Sequence, residues 1–169
     1  MARTSLAGRS ADLARFGGAE ISFLTQVGVR TVDGAALGFP VDPNTWLTVG
    51  GREVLWLGPD EWLVVAESVD ATDVVAALES SLEDVQRSVV DVSANRAAIE
   101  LADANRLELL SSGCPIDMDP RSWTEGRCAQ TLFGRAQVLL QERSETTRLF
   151  VRPSFSGYVV DLLLDAVDR

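Results

Sequence analysis

"TWLTVGGREVLWL" (residues 45–57) sets two short runs of β-forming residues about a Gly-Gly pair. A two-residue turn between antiparallel strands needs positive φ, which glycine adopts without steric cost. With Gly50-Gly51 as the turn, Leu47 faces Val54 and Thr45 faces Trp56 on one side, while Trp46 faces Leu55 on the other. Immediately downstream, "GPDEWLVV" (58–65) places Pro59, with its fixed φ, at the second position of a type I turn. Leu63 to Val65 then continue as a buried strand, so this stretch predicts three consecutive antiparallel strands. Trp46, Trp56 and Trp62 are expected to cluster in the core rather than stack on a ligand.

Upstream, "EISFLTQVGVRT" (20–31) carries Ile21, Phe23, Val27 and Val29 in broken alternation and predicts a strand, followed by a Gly-, Pro- and Asp-rich loop over 32–44. Residues 1–18 are small, polar and arginine-bearing and read as an N-terminal arm, leaving 19–169 as the folded domain. Downstream, residues 70–85 predict a helix with Val75, Leu78, Leu82 and Val85 as its apolar stripe and Asp70 or Thr72 as its cap. Residues 88–101 read as two strand segments meeting near Ala94-Asn95. Asp103 can cap a helix carrying Leu107, Leu109 and Leu110, with Gly113 ending it.

"SSGCPIDMDPRSW" (111–123) is the stretch most like a site, because a cysteine and two aspartates, Asp117 and Asp119, stand close together. It reads more economically as a helix stop, a short crossing and a helix start at Asp119-Pro120. A hard cation would want six or more oxygens, which the stretch does not supply. Two strands about Gly134 are expected over 128–143, then a strand near 148–152. A final helix follows, with Tyr158, Leu162 and Ala166 on one side and Ser154 or Ser156 as its cap. Helices interleaved with antiparallel pairs predict an α+β fold: a single compact domain of two ferredoxin-like βαββ-type halves.

The composition removes whole classes of chemistry. Among 169 residues there is no histidine, and all 15 basic residues are arginines. Ser-His-Asp and Cys-His nucleophiles are therefore impossible within the chain, as is a lysine Schiff base. Two cysteines, Cys114 and Cys128, cannot complete a tetrahedral zinc site and read as buried thiols. A net charge of −10 disfavours nucleic acid as a partner. No apolar run reaches the roughly 20 residues of a membrane helix, and the start has no apolar signal core, so a cytoplasmic protein without membrane contact is expected. No catalytic, cofactor-binding or metal-ligating residue is assigned. The interface candidates are Asn95 and Arg96, because a planar guanidinium fork suits a carboxylate across an interface. A solvated turn before a strand explains them equally well. Arg121, Arg127 and Arg152 share this case more weakly, with surface ion pairing as the alternative.

Five segments in order add a family resemblance: "LGPDEWLVV" (57–65), "VVDVSANRAAIEL" (89–101), "LLSSGCPIDMDP" (109–120), "GRCAQTLFGRAQVLL" (126–140) and "RPSFSGYVVDLLLDA" (152–166). Together they resemble the gamma subunit of heterotetrameric sarcosine oxidase, over about residue 20 to the end. The resemblance implies a non-catalytic subunit partnered by alpha, beta and delta subunits. That flavoenzyme demethylates sarcosine to glycine, forms hydrogen peroxide and passes the one-carbon unit to tetrahydrofolate. FAD, FMN, NAD, zinc and tetrahydrofolate are implied for the partner subunits and none for this chain. The resemblance also implies a fold related to the folate-binding domain of the glycine-cleavage T-protein aminomethyltransferases. Where the family usually has Gly-Pro this chain has Ala102-Asp103, and Asp103 can supply the capping acceptor itself. Cys128 superficially resembles the Gly-Cys motif of folate-binding iron–sulfur assembly proteins, but that motif's lysine and tyrosine are missing and it is not carried over. The competing reading is a free-standing folate-binding or aminomethyl-carrier protein using Asp91 or Asp117, for which 169 residues leave little room.

Overall fold

The computed structural model describes residues 4–169, so the first three residues of the expected arm lie outside the described residues. In chain order the elements are α1 (Ser10–Ala14), β1 (Gly18–Ile21), β2 (Thr25–Thr31), β3 (Trp46–Val49), β4 (Arg52–Gly58), β5 (Glu61–Ala66), α2 (Ala71–Ser81), β6 (Arg87–Asp91), β7 (Ala97–Leu101), α3 (Arg106–Ser111), β8 (Cys128–Phe133), β9 (Ala136–Glu142), β10 (Thr147–Val151) and α4 (Pro153–Val167). Residues 23–94 form one compact unit, and residues 4–22 together with 95–169 form the other. Each unit carries one five-stranded sheet, in the orders β3-β4-β5-β2-β6 and β1-β7-β10-β9-β8. Every pairing is antiparallel, so the fold is α+β with the two halves that the interleaved pattern predicts.

In the 23–94 unit the Gly50-Gly51 hairpin is present. Both glycines have positive φ, 57° and 76°, and the register sets Trp46 opposite Leu55 and Leu47 opposite Val54. The tryptophans do not form one cluster. Trp56 stands opposite Trp62, but Trp46 pairs with the neighbouring Leu55, and successive strand residues point to opposite faces. Trp62 packs edge-on to Phe39 with ring centroids 5.6 Å apart, and its indole N–H donates to the Pro40 carbonyl at 2.8 Å. The helix expected over 70–85 stops at Ser81, and its buried face is Val74, Leu78 and Leu82, with Val75 only half-buried. This i, i+4, i+8 row covers Val27, Val29, Val54 and Val64 of the sheet. Asp70 accepts from the Thr72 N–H at 2.8 Å, which holds its carboxyl below the usual range. Past the other end of α2, the Arg87 guanidinium donates to the Leu82 and Glu83 carbonyls at 2.7 and 3.0 Å, filling acceptors a helix terminus leaves open.

The single strand expected over 20–31 is two strands in different sheets. Between them Phe23 has φ 57°, and the broken alternation marks the passage from one unit to the other. In the second unit Leu13 of α1, Leu110 of α3 and Val159, Val160 and Leu163 of α4 share a core with Leu101, Leu140 and Leu149 of the sheet. The segment expected as an arm contributes to this core. Leu6, Leu13 and Phe16 are each 2% exposed. Arg9 pairs with Asp12 and Asp161, and Arg15 with Asp168. Along α4 the buried face is Ser156, Val159, Val160 and Leu163 rather than Tyr158, Leu162 and Ala166. Tyr158 points elsewhere, its hydroxyl accepting from the Arg135 N–H at 3.1 Å. Neither Ser154 nor Ser156 caps the helix, which begins at Pro153 after Arg152 without a side-chain cap.

Nothing lies within 4 Å of a Cβ built on Gly51, so only its φ of +76° resists substitution. Gly51→Ala is expected to cost about 1 kcal/mol through left-handed strain, and Gly51→Asn less, read from the urea midpoint of each variant.

Candidate interaction groove

The segment 111–123 is structural. α3 ends with the Gly113 and Cys114 N–H groups donating to the Leu110 carbonyl at 3.1 and 2.9 Å. Gly113 is not left-handed, in contrast to the cap expected there. It is glycine because a Cβ would stand 2.5 Å from the Phe133 ring. The helix start expected at Asp119-Pro120 is a single turn, in which the Asp119 carbonyl accepts from the Ser122 and Trp123 N–H groups, both at 2.8 Å. Asp119 also accepts from its own neighbour Arg121 through both carboxylate oxygens, at 2.9 and 2.7 Å, and these bonds hold its carboxyl below the usual range. Asp117 accepts from the Asp119 N–H at 2.9 Å, so both aspartates close local turns. Among the described residues no group of three or more His, Cys, Asp or Glu is placed to share a metal ion.

The turn stops after one cycle because Trp123 is drawn inward. Its indole N–H donates to Glu142 at 3.0 Å. The same carboxylate, 3% exposed, accepts from Arg106 of α3 at 2.6 Å and from the Thr147 hydroxyl on β10. Asp103 caps the approach to α3 by accepting from the Asn105 N–H at 2.7 Å. Cys114, buried beside this segment, has its thiol pushed from the ordinary 9.0 up to about 12 by desolvation. Cys128 is likewise buried.

The core of this unit takes Val138, Leu140, Leu149 and Val151 from one face of the sheet. Alternation puts Leu139 and Phe150, which pair in register, on the other. There they floor a groove of about 540 Å³, whose rim includes Leu132, Gln137, Arg96 and Arg152. Asn95 lines its end, so three of the five interface candidates, Asn95, Arg96 and Arg152, come together in one place. The other two do not. Arg121 is bound to its own turn with its side chain 90% exposed. Arg127 precedes β8 with a buried Nε that has no hydrogen-bond partner. No acidic residue lines the groove. Sequence reasoning missed the floor, since nothing in "QVLLQE" or "TRLFV" says which alternate residues face a groove.

The profile of the sarcosine oxidase gamma subunit family matches residues 26–169. The chain belongs to that family. It is 34% identical over 162 residues to the sarcosine oxidase subunit gamma of Corynebacterium sp. strain P-1, covering 89% of this chain and 79% of the relative. It is also 34% identical over 160 residues to the subunit from Arthrobacter sp., covering 88% of this chain and 78% of that one. In three dimensions it is similar to a chain of the heterotetrameric sarcosine oxidase of Corynebacterium sp. U-96, solved with pyrrole 2-carboxylate. The TM-score is 0.88 at 31% identity over 99% of this chain and 95% of that one. The glycine cleavage aminomethyltransferase T of Bartonella henselae shares the fold, with a TM-score of 0.67 at 11% identity, over 93% of this chain and 48% of that one.

Two outcomes check the site chemistry. Glu142→Ala strands the Arg106 cation in a dry setting and is expected to destabilise the chain by about 3 kcal/mol or more, read by denaturant unfolding. The Cys114 thiol, protonated far above neutrality, is expected to resist iodoacetamide at pH 8 until the chain is unfolded. Its raised value also fixes a sign. The stability it contributes is whole below about 9 and falls as pH rises from there towards about 12.

Proposed function

We propose that this chain is the gamma subunit of a four-chain sarcosine oxidase and contributes no catalytic group. The reading is carried by its agreement in fold and sequence with a chain of a heterotetrameric sarcosine oxidase over nearly the whole length of both. In this reading the alpha, beta and delta subunits bind FAD, FMN, NAD, zinc and tetrahydrofolate. They carry out the oxidative demethylation of sarcosine to glycine, with hydrogen peroxide formed and the one-carbon unit passed to tetrahydrofolate, in the cytoplasm.

This chain's own residues do not fit a dinucleotide. Among the described residues none of the four α-helices follows a strand through a Gly-x-Gly-x-x-Gly turn, the arrangement that brings a pyrophosphate to a helix N-terminus. Without histidine or lysine it also lacks the side chains that most often move protons near neutral pH or form imines. What it offers instead is surface. The groove bearing Asn95, Arg96 and Arg152 is the face we assign to a partner, because it gathers two guanidinium groups and no acidic residue lines it in an otherwise acidic chain.

A tagged copy purified from its native cells is expected to bring down three further chains and a yellow eluate that oxidises sarcosine. The same chain expressed alone should be colourless and inactive. A solitary chain from native cells, or flavin bound to the chain alone, would overturn the reading.

A further inference from the structure

Among the described residues β8 is the last strand of its sheet. It joins β9 through the two-residue turn Gly134-Arg135, with Phe133 opposite Ala136 and Gly134 at φ 59°. In such a hairpin the pair flanking the turn exchanges both hydrogen bonds, and the bonded pairs recur at every second residue. Phe133, Thr131 and Ala129 therefore bond inward to β9, and Leu132 directs its N–H and C=O outward, away from the sheet. Leu132 is 43% exposed and lines the groove. An exposed edge position of this kind is a template for a further strand.

The edge and the charge lie on one level. Val151 pairs with Val138, so Arg152 stands level with Gln137, which is opposite Leu132. Arg152, Gln137 and Leu132 thus form a row across β10, β9 and β8, all on the groove side and all exposed. A strand added beyond β8 stands three strand spacings, about 14 Å, from Arg152, a gap that the arginine closes only with a long acidic side chain meeting it over Gln137 and Leu132.

Resting on the subunit reading above, we propose that an extended, carboxylate-bearing segment of a partner subunit adds to β8 as a further strand and sets an acidic side chain against Arg152. Backbone pairing along the edge would supply affinity, and the arginine would select the acidic sequence. The segment's alternate side chains would cover Leu132, the exposed apolar residue of the row. A cationic or purely apolar segment would leave Arg152 desolvated without a counter-charge, which is the costly outcome.

The test uses the four-subunit complex, co-expressed with this chain tagged. Amide hydrogen exchange of residues 128–133 is expected to slow on assembly. Leu132→Pro removes the outward N–H without touching the β8–β9 ladder, and Arg152→Glu reverses the charge. Each is expected to weaken association by about tenfold or more, while Arg121→Glu, remote from the groove, leaves it unchanged. Circular dichroism and the urea midpoint verify that each variant is folded. Arg152→Lys, which keeps the charge, is expected to recover part of the loss. Unaltered exchange over 128–133, or wild-type association of both variants, overturns the inference while leaving the subunit reading intact. Failure of the wild-type chain to co-purify with any other subunit overturns both.

Discussion

A single buried carboxylate organises the least regular part of this chain. Glu142 sits at the end of β9 with almost no exposure, and an ionised group there is tolerable only if its oxygens are filled. Three elements fill them: Arg106 from α3, Trp123 from the loop and Thr147 from β10. The loop between α3 and β8 has no regular secondary structure after Ser111, yet it is not free to wander. Its indole must reach the carboxylate, and Met118 and Trp123 belong to the core. The Asp117 and Asp119 turns are the local means of shaping that path, which is why two neighbouring aspartates resembled a site and are not one. Removing one partner of a buried ion pair leaves the other charge uncompensated, and that is the strongly destabilising event.

The parts of the fold legible in the sequence are those whose signal is local. Gly50-Gly51 between β-rich runs specifies a hairpin and its register together, because two residues with positive φ leave few alternatives. Gly134 does the same for β8 and β9. Asp70 caps α2 as its side-chain chemistry suggests. Non-local facts were not legible. The run "EISFLTQVGVRT" looks like one strand, and only the assembled sheets show that Glu20 pairs with Ile99 while Val27 pairs with Val64. Gly113 looks like a helix cap, and only the tertiary structure shows that the Phe133 ring requires it. For α4 the misreading was one of phase. Three apolar residues in a row, Leu162 to Leu164, leave the helical stripe ambiguous until the sheet chooses Leu163. The substitution at Ala102-Asp103 is absorbed locally. The Ala102 N–H donates to the Gly17 carbonyl at 2.9 Å, and Gly17 has no Cβ, which would otherwise stand 2.8 Å from that of Asp103.

The candidate site was half legible for a related reason. Residue type pointed to Asn95, Arg96 and Arg152, because arginine next to a turn is a plausible interface group. It gave Arg121 the same weaker case as Arg152, and the structure shows Arg121 engaged by its own turn. Sequence alone does not show that the Arg121 guanidinium is satisfied two residues away. It also hides the groove floor. Strands buried on both faces read as continuous apolar runs rather than alternating ones, so "VLLQ" and "RLFV" give no hint that Leu139 and Phe150 share a face apart from Leu140 and Leu149.

The exclusive use of arginine makes physical sense in a chain of this character. The Arg148 side chain is 1% exposed and Arg106 13% exposed, both beside carboxylates. A lysine placed so deeply can escape the cost of burial by losing its proton, whereas a guanidinium stays charged at any accessible pH. The cationic half of each internal ion pair is therefore a fixed charge. With no histidine in the sequence, the side chain that ordinarily changes charge between pH 5 and 8 is also missing. The Cys114 thiol, displaced to about 12, does not fill that gap. A protein built in this way presents an almost constant pattern of charge to its surroundings across the neutral range.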